Sequence, residues 1–252
     1  MKLQTEVVYK ATLKCFYDTV NKKKLKGITK FLKKAFFPKY NYKKAKLETT
    51  AEPKQPKRAE PPGPRGKRRG SLVDQQLSDI VNGVLVPPQK IHPFTKAAFA
   101  ALAQAGLAPR TAQVVVYDRE TKLATACDLV AVRTSSNEPV IVELKCSQDK
   151  KYFASCGPMR GAMARSSDSL ASQHALQVQL TRHLFEKTYG VRAHAVVLRI
   201  CDVGTAALKE VPRDEDATRA AYSQLCATVS KKQKARPKFR KKKKSQFKAL
   251  KK

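Results

Sequence analysis

The sequence lacks several features that would each define a class of protein. It contains no run of about 18 or more apolar residues, so no segment is predicted to span a membrane. Its six cysteines form no CxxC pair, and no secretory apolar region stands at its start, which predicts free thiols in a reducing compartment. It also has no GxxxxGK(S/T) phosphate-binding loop, so ATP-driven helicase activity is not expected of this chain.

Acidic residues are scarce at both ends of the chain. Residues 1–69 carry 21 Lys and Arg against 5 acids, and residues 230–252 carry 13 against none. Residues 70–229 are nearly balanced, with 18 basic against 15 acidic residues. Cationic ends of this kind bind polyanions through phosphate contacts and counterion release, so DNA, RNA and an anionic membrane are all candidate partners at this point.

Charge and composition divide the chain into four regions. Residues 1–37 place apolar residues at helical spacing between lysines, which predicts a basic amphipathic helical arm. Residues 38–69 are rich in Lys, Pro, Glu and Gly, a composition typical of a disordered basic linker. Residues 70–229 have the composition of a folded domain, and residues 230–252 are predicted to form a Lys-rich disordered tail.

The cationic arms leave more than one interpretation open. The N-terminal helices could serve as a mitochondrial presequence, lie on a membrane surface or contact DNA. Lys57 and Arg58, followed after eight residues by Lys67, Arg68 and Arg69, form a two-part cluster typical of a nuclear import signal, although a merely solvated linker has the same composition. We therefore expect the nucleus, with the mitochondrion or a viral factory in the cytoplasm as alternatives. The predicted nucleic-acid contacts are Lys67, Arg68, Arg69, Lys241, Lys242, Lys243 and Lys244.

The folded region alternates between helical and strand patterns. The predicted elements are helices at about 71–82 and 93–106, strands at 112–118, 123–133 and 139–146, a loop at 147–167, a helix from a cap at Asp168 or Ser169 to Tyr189, a strand at 192–201 and a helix at 213–228. Helices followed by a three-strand meander and then by a helix and a strand indicate a mixed α/β domain, in which helices cover a central mixed sheet.

One predicted hairpin, formed by 123–133 and 139–146, carries the strongest signal for a site. Side chains alternate faces along a strand, so Glu143 and Lys145 share one face, and the apolar neighbours of Asp128 predict that its carboxylate is partly buried. Two carboxylates on neighbouring strands form a hard-oxygen site suited to Mg²⁺, with waters and a substrate phosphate completing the shell. A lysine beside them can orient or deprotonate an attacking water, or stabilise charge on the phosphate.

A row of polar residues follows on the long predicted helix. Gln173, Gln177 and Thr181 lie at i, i+4 and i+8, so they share one face and could reach the same pocket. A solvated helix face has the same pattern, so this row alone does not indicate a site.

Five segments between residues 70 and 205 carry motifs in a recognisable order. They are GSLVDQQL at 70–77, TACDLVAV at 125–132, VIVELKC at 140–146, LQVQLT at 176–181 and TYGVRAHAVVLRI at 188–200. In this order they resemble the PD-(D/E)xK nuclease superfamily, and within it the RecB-like and lambda-exonuclease-like branch that includes YqaJ-type viral recombinases.

The resemblance implies a restriction-endonuclease-like α/β core and a role for each matched residue. Asp128, Glu143 and the backbone carbonyl of Leu144 would bind Mg²⁺, with Mn²⁺ as an alternative, and Lys145 would serve the attacking water. Asp74 would help to hold a second metal or its waters. Gln177 would orient the lysine or the substrate phosphate.

Two positions depart from the pattern of this branch. Thr181 stands where an aromatic residue is common, and Asp74 replaces the usual His or Glu.

The expected function is therefore a magnesium-dependent DNA nuclease, an exonuclease acting in recombination, repair or viral DNA processing. The basic arms would hold the DNA, and assembly into a homo-oligomer is a further expectation. Two alternatives stay open: an endonuclease or resolvase using the same site, and a non-catalytic nucleic-acid-binding protein on a nuclease-like scaffold.

Overall fold

The computed structural model of the protein describes residues 6–10, 13, 15–37, 66–146, 152–202 and 205–234. Within these ranges the strands are β1 (Val7–Lys10), β2 (Cys15–Asp18), β3 (Lys23–Gly27), β4 (Leu107–Asp118), β5 (Leu123–Arg133), β6 (Pro139–Cys146), β7 (His194–Asp202) and β8 (Thr205–Glu210). The helices are α1 (Ile28–Ala35), α2 (Gly66–Val81), α3 (Pro93–Gln104), α4 (Leu170–Tyr189) and α5 (Glu215–Lys234), with 3₁₀ turns at Pro88–Lys90 and Gly161–Met163.

All eight strands belong to one mixed sheet. Its order is β1-β2-β3-β5-β6-β7-β8, and β4 pairs with β5. The predicted meander β4-β5-β6 is antiparallel, β7 then lies parallel to β6, and β8 closes the edge antiparallel to β7. A helix precedes the meander and α4 separates it from β7, so the predicted order of elements is confirmed.

Helices cover both faces of this sheet. One apolar cluster joins α2 and α3 to one face, and a larger cluster joins α1, α4 and α5 to the other. The first includes Val73, Leu77, Phe94, Leu102, Val140 and Val142; the second includes Ile28, Leu32, Ile141, Leu180, Leu184 and Leu225. Because neighbouring residues of β6 enter opposite clusters, the sheet is buried on both sides, as in other sheets flanked by helices. The predicted fold class, a central mixed sheet flanked by helices, is confirmed.

Local sequence signals set several boundaries correctly. The strands β5 and β6 begin and end at the predicted residues. The side chain of Ser169 caps α4 by accepting a hydrogen bond from the Ser172 N–H, and Gly190 ends the helix in the left-handed conformation, with a φ of 68°.

The prediction of amphipathic helices near the N-terminus is wrong for residues 7–27. Among its described residues, 7–10, 15–18 and 23–27 form the three short strands β1, β2 and β3, and the α-helix α1 begins only at Ile28. Helical spacing predicts one apolar face from Val8, Leu13, Phe16 and Val20, but of these only Phe16 is buried, and Val7, which lies off that face, is buried as well. A period of two therefore fits these residues better than 3.6.

The N-terminal segment is also part of the folded unit rather than a separate arm. Lys26 and Gly27 of β3 pair in parallel with Leu123 and Ala124 of β5. The buried residues of α1 join the larger core cluster.

Two other region boundaries differ from the prediction. The helix α2 begins at Gly66, so residues 66–69 are helical rather than part of the linker, and α5 continues to Lys234, so residues 230–234 are helical rather than tail. The strand β8 was not predicted, because its sequence TAALKE is mostly exposed on the edge of the sheet and has little apolar alternation. The remaining linker and tail, 38–65 and 235–252, lie outside the described residues.

The absence of a membrane span and the state of the cysteines were both predicted. Across the described segments, no helix has the length and apolar content to cross a membrane. The six cysteines are free thiols.

Candidate active site

The candidate site lies where β5 and β6 separate. Their ladder runs from Val132 opposite Pro139 to Leu129 opposite Val142. The next residue toward the opening on each strand is Asp128 on β5 and Glu143 on β6. The two strands stay linked there by one side chain, since Asp128 Oδ2 accepts a hydrogen bond from the Leu144 N–H at 2.9 Å. Strand separation thus places two carboxylates side by side, with Asp128 lining an open cleft and Glu143 buried behind it.

Opposite this opening, β4 carries an irregularity at Gln113. In a regular strand residues i and i+2 share a face, yet Ala112 and Val114 enter opposite core clusters, as do their partners Leu129 and Cys127. Gln113 has a φ of 56°, in the left-handed region that residues other than glycine rarely adopt. Such strained positions are concentrated at functional sites.

Gln113 is a site residue that sequence reasoning missed. Its Nε2 donates a hydrogen bond to Asp74 Oδ1 at 3.1 Å, which links β4 to α2 across the site. The only sequence signal was an amide between apolar residues in AQVVV. That signal says nothing about a left-handed backbone, because the irregularity is made jointly with the paired strand.

The helix α2 places Asp74 across a cleft from Asp128. The cleft has a volume of about 360 Å³, and its lining residues are Gly70, Ser71, Asp74, Asp128, Leu144, Lys145 and Cys146. Burial and the nearby Asp128 carboxylate raise the pKa of Asp74 to about 6. Burial likewise raises the pKa of Asp128, although Lys145 and the Leu144 N–H oppose the rise. Burial disfavours the ionised form of both carboxyls, and the charge of Asp128 adds to this effect at Asp74.

Glu143 lies at the inner end of the site, where its side chain is only 2% exposed. Its Oε1 accepts hydrogen bonds from Lys145 Nζ and, at 2.6 Å, from Gln177 Nε2. Burial and the Asp128 carboxylate raise the pKa of Glu143 to about 8, despite the opposing charge of Lys145. Burial alone would lower the pKa of Lys145, but Glu143 and Asp128 raise it. One ammonium therefore serves three carboxylates. The site would have an excess of negative charge if all three were ionised, and the raised pKa values mean that protons neutralise part of this charge when no cation is present.

The polar row on α4 does not act as a unit. Gln177 reaches Glu143, but Gln173 Nε2 donates to Asp168 Oδ1 at 2.7 Å, and the hydroxyl of buried Thr181 donates to the Gln177 carbonyl at 2.9 Å. The possibility that all three reach one pocket is not realised, because each side chain bonds a different neighbour along the helix. Thr181 stands where an aromatic residue is common, and its hydroxyl hydrogen bond stays within α4.

Three residues beside Lys145 form a second group that was not predicted. Arg199 on β7 is the register partner of Lys145, and its guanidinium lies 4.1 Å from the ring centre of Tyr152. The Tyr152 hydroxyl and His174 Nδ1 form a hydrogen bond of 3.1 Å. Burial, with Lys145 and Arg199 adding to it, lowers the pKa of His174 to about 3, so the imidazole is neutral at pH 7. The one available signal was that His174 lies three residues before Gln177, on the same side of a helix.

The predicted nucleic-acid contacts are only partly within the described structure. Arg69 is 5% exposed and its guanidinium lies 4.6 Å from the ring centre of Phe94, a packing role that conflicts with the predicted phosphate contact. Arg68 is exposed. The side chain of Lys67 and residues 241–244 lie outside the described part.

The donor set fits a hydrated divalent cation better than a complete protein cage. Within the described ranges, no group of three or more His, Cys, Asp or Glu side chains is spaced to hold a metal by itself. Asp74, Asp128 and Leu144 line the cleft, while Glu143 is engaged by Lys145 and Gln177. Mg²⁺ commonly takes one or two protein carboxylates and keeps several waters, and a cation here would offset the excess negative charge.

Comparison with known proteins gives a loose likeness among solved structures. No family model and no curated protein matches the chain. Among solved structures, it is similar to a chain from Eubacterium rectale named "Putative exonuclease", with 8% sequence identity and a TM-score of 0.39 over 67% of this chain and 68% of that chain. A likeness this loose assigns neither a family nor an activity, so any activity must be inferred from the site itself.

Proposed function

We propose that the protein is a metal-dependent nuclease that hydrolyses phosphodiester bonds in DNA. One observation carries the proposal: Asp128 and Glu143 stand where two paired strands separate, with Lys145 hydrogen-bonded to Glu143 and Asp74 facing them across an open cleft. Hydrolysis of a phosphodiester requires a place for a cation, an oriented water and a positive group near the attacked phosphate. This set of side chains can provide all three.

The metal, Mg²⁺ or Mn²⁺, would polarise the phosphate and lower the pKa of a bound water when present. Asp128 is the main proposed ligand, with Asp74 and the carbonyl of Leu144 beside it. The ammonium of Lys145 lies in the same cleft and can orient the water or stabilise charge that develops on the phosphate. Its pKa is raised by the carboxylates, so it accepts a proton only when their charge is offset.

Gln177 is proposed as a positioning residue. Its amide fixes one oxygen of Glu143 from the side of α4, and the same oxygen accepts the hydrogen bond from Lys145. Glu143 can therefore hold the lysine in one orientation while it remains buried. A side chain held by neighbours in this way needs less reorganisation during the reaction.

DNA is the proposed substrate because the excess of basic residues is concentrated at the two ends of the chain. We propose exonuclease action in recombination, repair or viral DNA processing, with a nuclear location, and propose that copies of the chain assemble. Exonuclease action, pathway, location and assembly all rest on the proposed phosphodiester hydrolysis.

The test is a cleavage assay on end-labelled linear duplex and on closed circular DNA with Mg²⁺. Lys145→Ala and Asp128→Ala are compared with Lys96→Ala, an exposed lysine on α3 that is remote from the cleft in sequence and element. We expect loss of cleavage in the first two variants and wild-type cleavage in the third. Wild-type protein that binds but never cuts would overturn the proposal and favour a non-catalytic scaffold, and cutting of the closed circle would replace exonuclease with endonuclease action.

A further inference from the structure

An exposed aromatic side chain stands next to the candidate site. Phe153 is 64% exposed, whereas the preceding Tyr152 is buried. The two rings meet edge to face, with centres 5.0 Å apart and an interplanar angle of 87°. Tyr152 is held by its hydrogen bond to His174 and by Arg199 over its ring. Phe153 is therefore presented to solvent from a fixed support, rather than from a free loop end.

Two cations lie beside the Phe153 ring. The Arg199 guanidinium is 5.8 Å and the Lys209 ammonium 6.0 Å from its centre. Lys209 is on the exposed edge strand β8. Both distances are within the range of cation–π attraction, so the aromatic and the positive charges form one continuous surface.

The strand register connects this surface to the site. Arg199 on β7 is the partner of Lys145 on β6, and Lys209 on β8 is the partner of Val197, two residues from Arg199. Paired residues of neighbouring strands point to the same face, as do residues i and i+2. Lys145, Arg199 and Lys209 thus form a cationic row on one face, which runs from the candidate site to the edge of the sheet over about 10 Å at the usual strand spacing.

A ring flanked by cations has the chemistry that single-stranded nucleic acid requires. Bases stack on aromatic side chains regardless of sequence, while Lys and Arg contact the intervening phosphates. The bases of a duplex are already stacked on each other and offer no free face. An isolated exposed phenylalanine could also be an ordinary surface residue. Phe153, however, lies beside a cationic row that leads to Lys145, and this combination suits a nucleic-acid strand that runs toward the candidate site.

We propose that Phe153, Arg199 and Lys209 bind an unpaired nucleotide of a single-stranded end next to the reaction centre. The inference deepens the proposed function, on which it rests for its biological meaning, by naming unpaired nucleic acid as the preferred substrate. The binding itself needs no cleavage. It can therefore be measured in EDTA, where failure of the catalytic proposal does not affect the result.

The first experiment measures fluorescence anisotropy of a labelled single-stranded oligo(dT) and of a blunt duplex in EDTA. Phe153→Ala should weaken single-strand binding about tenfold, the usual effect of losing one stacked base, and change duplex binding less than twofold. Lys209→Ala should lower the slope of log K against log salt by about one. Leu85→Ala removes another exposed apolar side chain and should change neither affinity. Equal losses for both DNAs, or no loss, would overturn the proposal.

The second experiment uses the absence of tryptophan from the chain. The substitution Phe153→Trp introduces a single fluorescent reporter at the proposed stacking position and preserves an aromatic ring. Oligo(dT) should quench its emission and bind at least as tightly as to wild type. Unchanged emission at saturating oligonucleotide would contradict stacking. Wild-type cleavage with unaltered binding by Phe153→Ala would remove this inference alone, and selective binding without any cleavage would remove the nuclease proposal alone.

Discussion

Two sets of buried carboxylates in this protein have opposite properties. Asp18 and Asp118 have side chains that are 2% and 3% exposed, as deeply buried as Glu143, yet the pKa of each is lowered instead of raised. Each is the last residue of a strand, β2 or β4, and begins a hairpin turn, where its carboxylate accepts a hydrogen bond from the backbone N–H two residues ahead. In both turns the fifth residue is a lysine with positive φ, Lys22 or Lys122.

Small exposure is common to both sets, and the donors around each carboxylate differ. Burial alone would raise the pKa of Asp118, but Lys187 and the Tyr222 hydroxyl, each 2.6 Å from its Oδ2, lower that pKa to about 2. Asp18 is similarly held by Asn21 and Arg119. In the site, three carboxylates share one lysine, so their charge is not offset. The turn aspartates are thus satisfied by the fold, whereas the site carboxylates need a further cation.

The same substitution at one residue of each set gives the largest contrast. Asp128→Asn removes a charge from the site while its amide oxygen can still accept the Leu144 N–H, so we expect cleavage to fall by about 10²–10⁴-fold. Asp118→Asn should leave cleavage within about twofold at a temperature where the variant is folded. Initial rates on linear DNA measure both. Similar losses in the two variants would mean that Asp128 acts through stability, and the comparison would fail.

Stabilisation by Mg²⁺ should also differ between the site carboxylates and the turn aspartates. A ligand that binds only the folded protein stabilises it, by about 3 kcal/mol at 100 times its dissociation constant, so Mg²⁺ should raise the melting temperature of the wild type by several degrees. Asp118→Asn should show the same rise from a lower starting point, and Asp128→Asn should show almost none. Thermal unfolding in EDTA and with added Mg²⁺ tests this. A full rise in Asp128→Asn would exclude that carboxylate as a ligand.

The pH dependence of stability should have opposite signs in the two sets. Without metal, Glu143 in the folded protein binds protons up to pH about 8, whereas the unfolded chain releases them near 4.5, so raising the pH between these values destabilises the fold. Asp118 contributes stability that is present above pH about 4 and is lost as the pH falls toward 2.

The variant that isolates this effect is Glu143→Gln in EDTA. It should match the wild type near pH 5 and be more stable near pH 8 by up to about 5 kcal/mol, since the pKa rises from 4.5 to about 8 and each unit of pKa shift is about 1.4 kcal/mol. Asp118→Asn should instead lose its difference from the wild type below pH 3. Chemical unfolding at each pH measures the free energies. If the difference in unfolding free energy between Glu143→Gln and wild type stays constant across pH 5–8, the pKa of Glu143 is not raised in the folded protein.

The smallest expected effect distinguishes two glutamines on one helix. Gln177→Ala removes a donor from Glu143 and should lower the cleavage rate about 10- to 100-fold, because residues that orient metal-site groups usually contribute this much. Gln173→Ala removes a donor from Asp168, outside the cleft, and should have little effect on rate. Gln177→Glu, which restores neither the amide donor nor neutrality, should not rescue cleavage. Equal rates for the two alanine variants would assign Gln177 a purely structural role.

Several features could be predicted from the residues alone because they depend on local geometry. Alternation along a strand places Glu143 and Lys145 on one face whatever the rest of the chain does, and they are hydrogen-bonded in the structure. The bounds of β5, β6 and α4 follow from turn residues and caps that act within a few positions. Helical spacing did not specify the partners of the polar row: Gln177 bonds Glu143 rather than the lysine itself, and Gln173 and Thr181 bond groups outside the cleft.

What the amino-acid sequence by itself determined is therefore the order of elements and the identity of the chemical groups. The tertiary structure decided how those groups meet: the separation of β5 from β6 after Leu129 and Val142, the left-handed Gln113 that reaches Asp74, and the support of Phe153 beside Arg199. It also formed strands that join the sheet from residues 7–10, 15–18 and 23–27 of the lysine-rich N-terminal region. Each of these depends on pairing between distant segments. Periodicity describes which face a residue occupies on its own element, but strand register and strand separation are set by packing across the whole sheet.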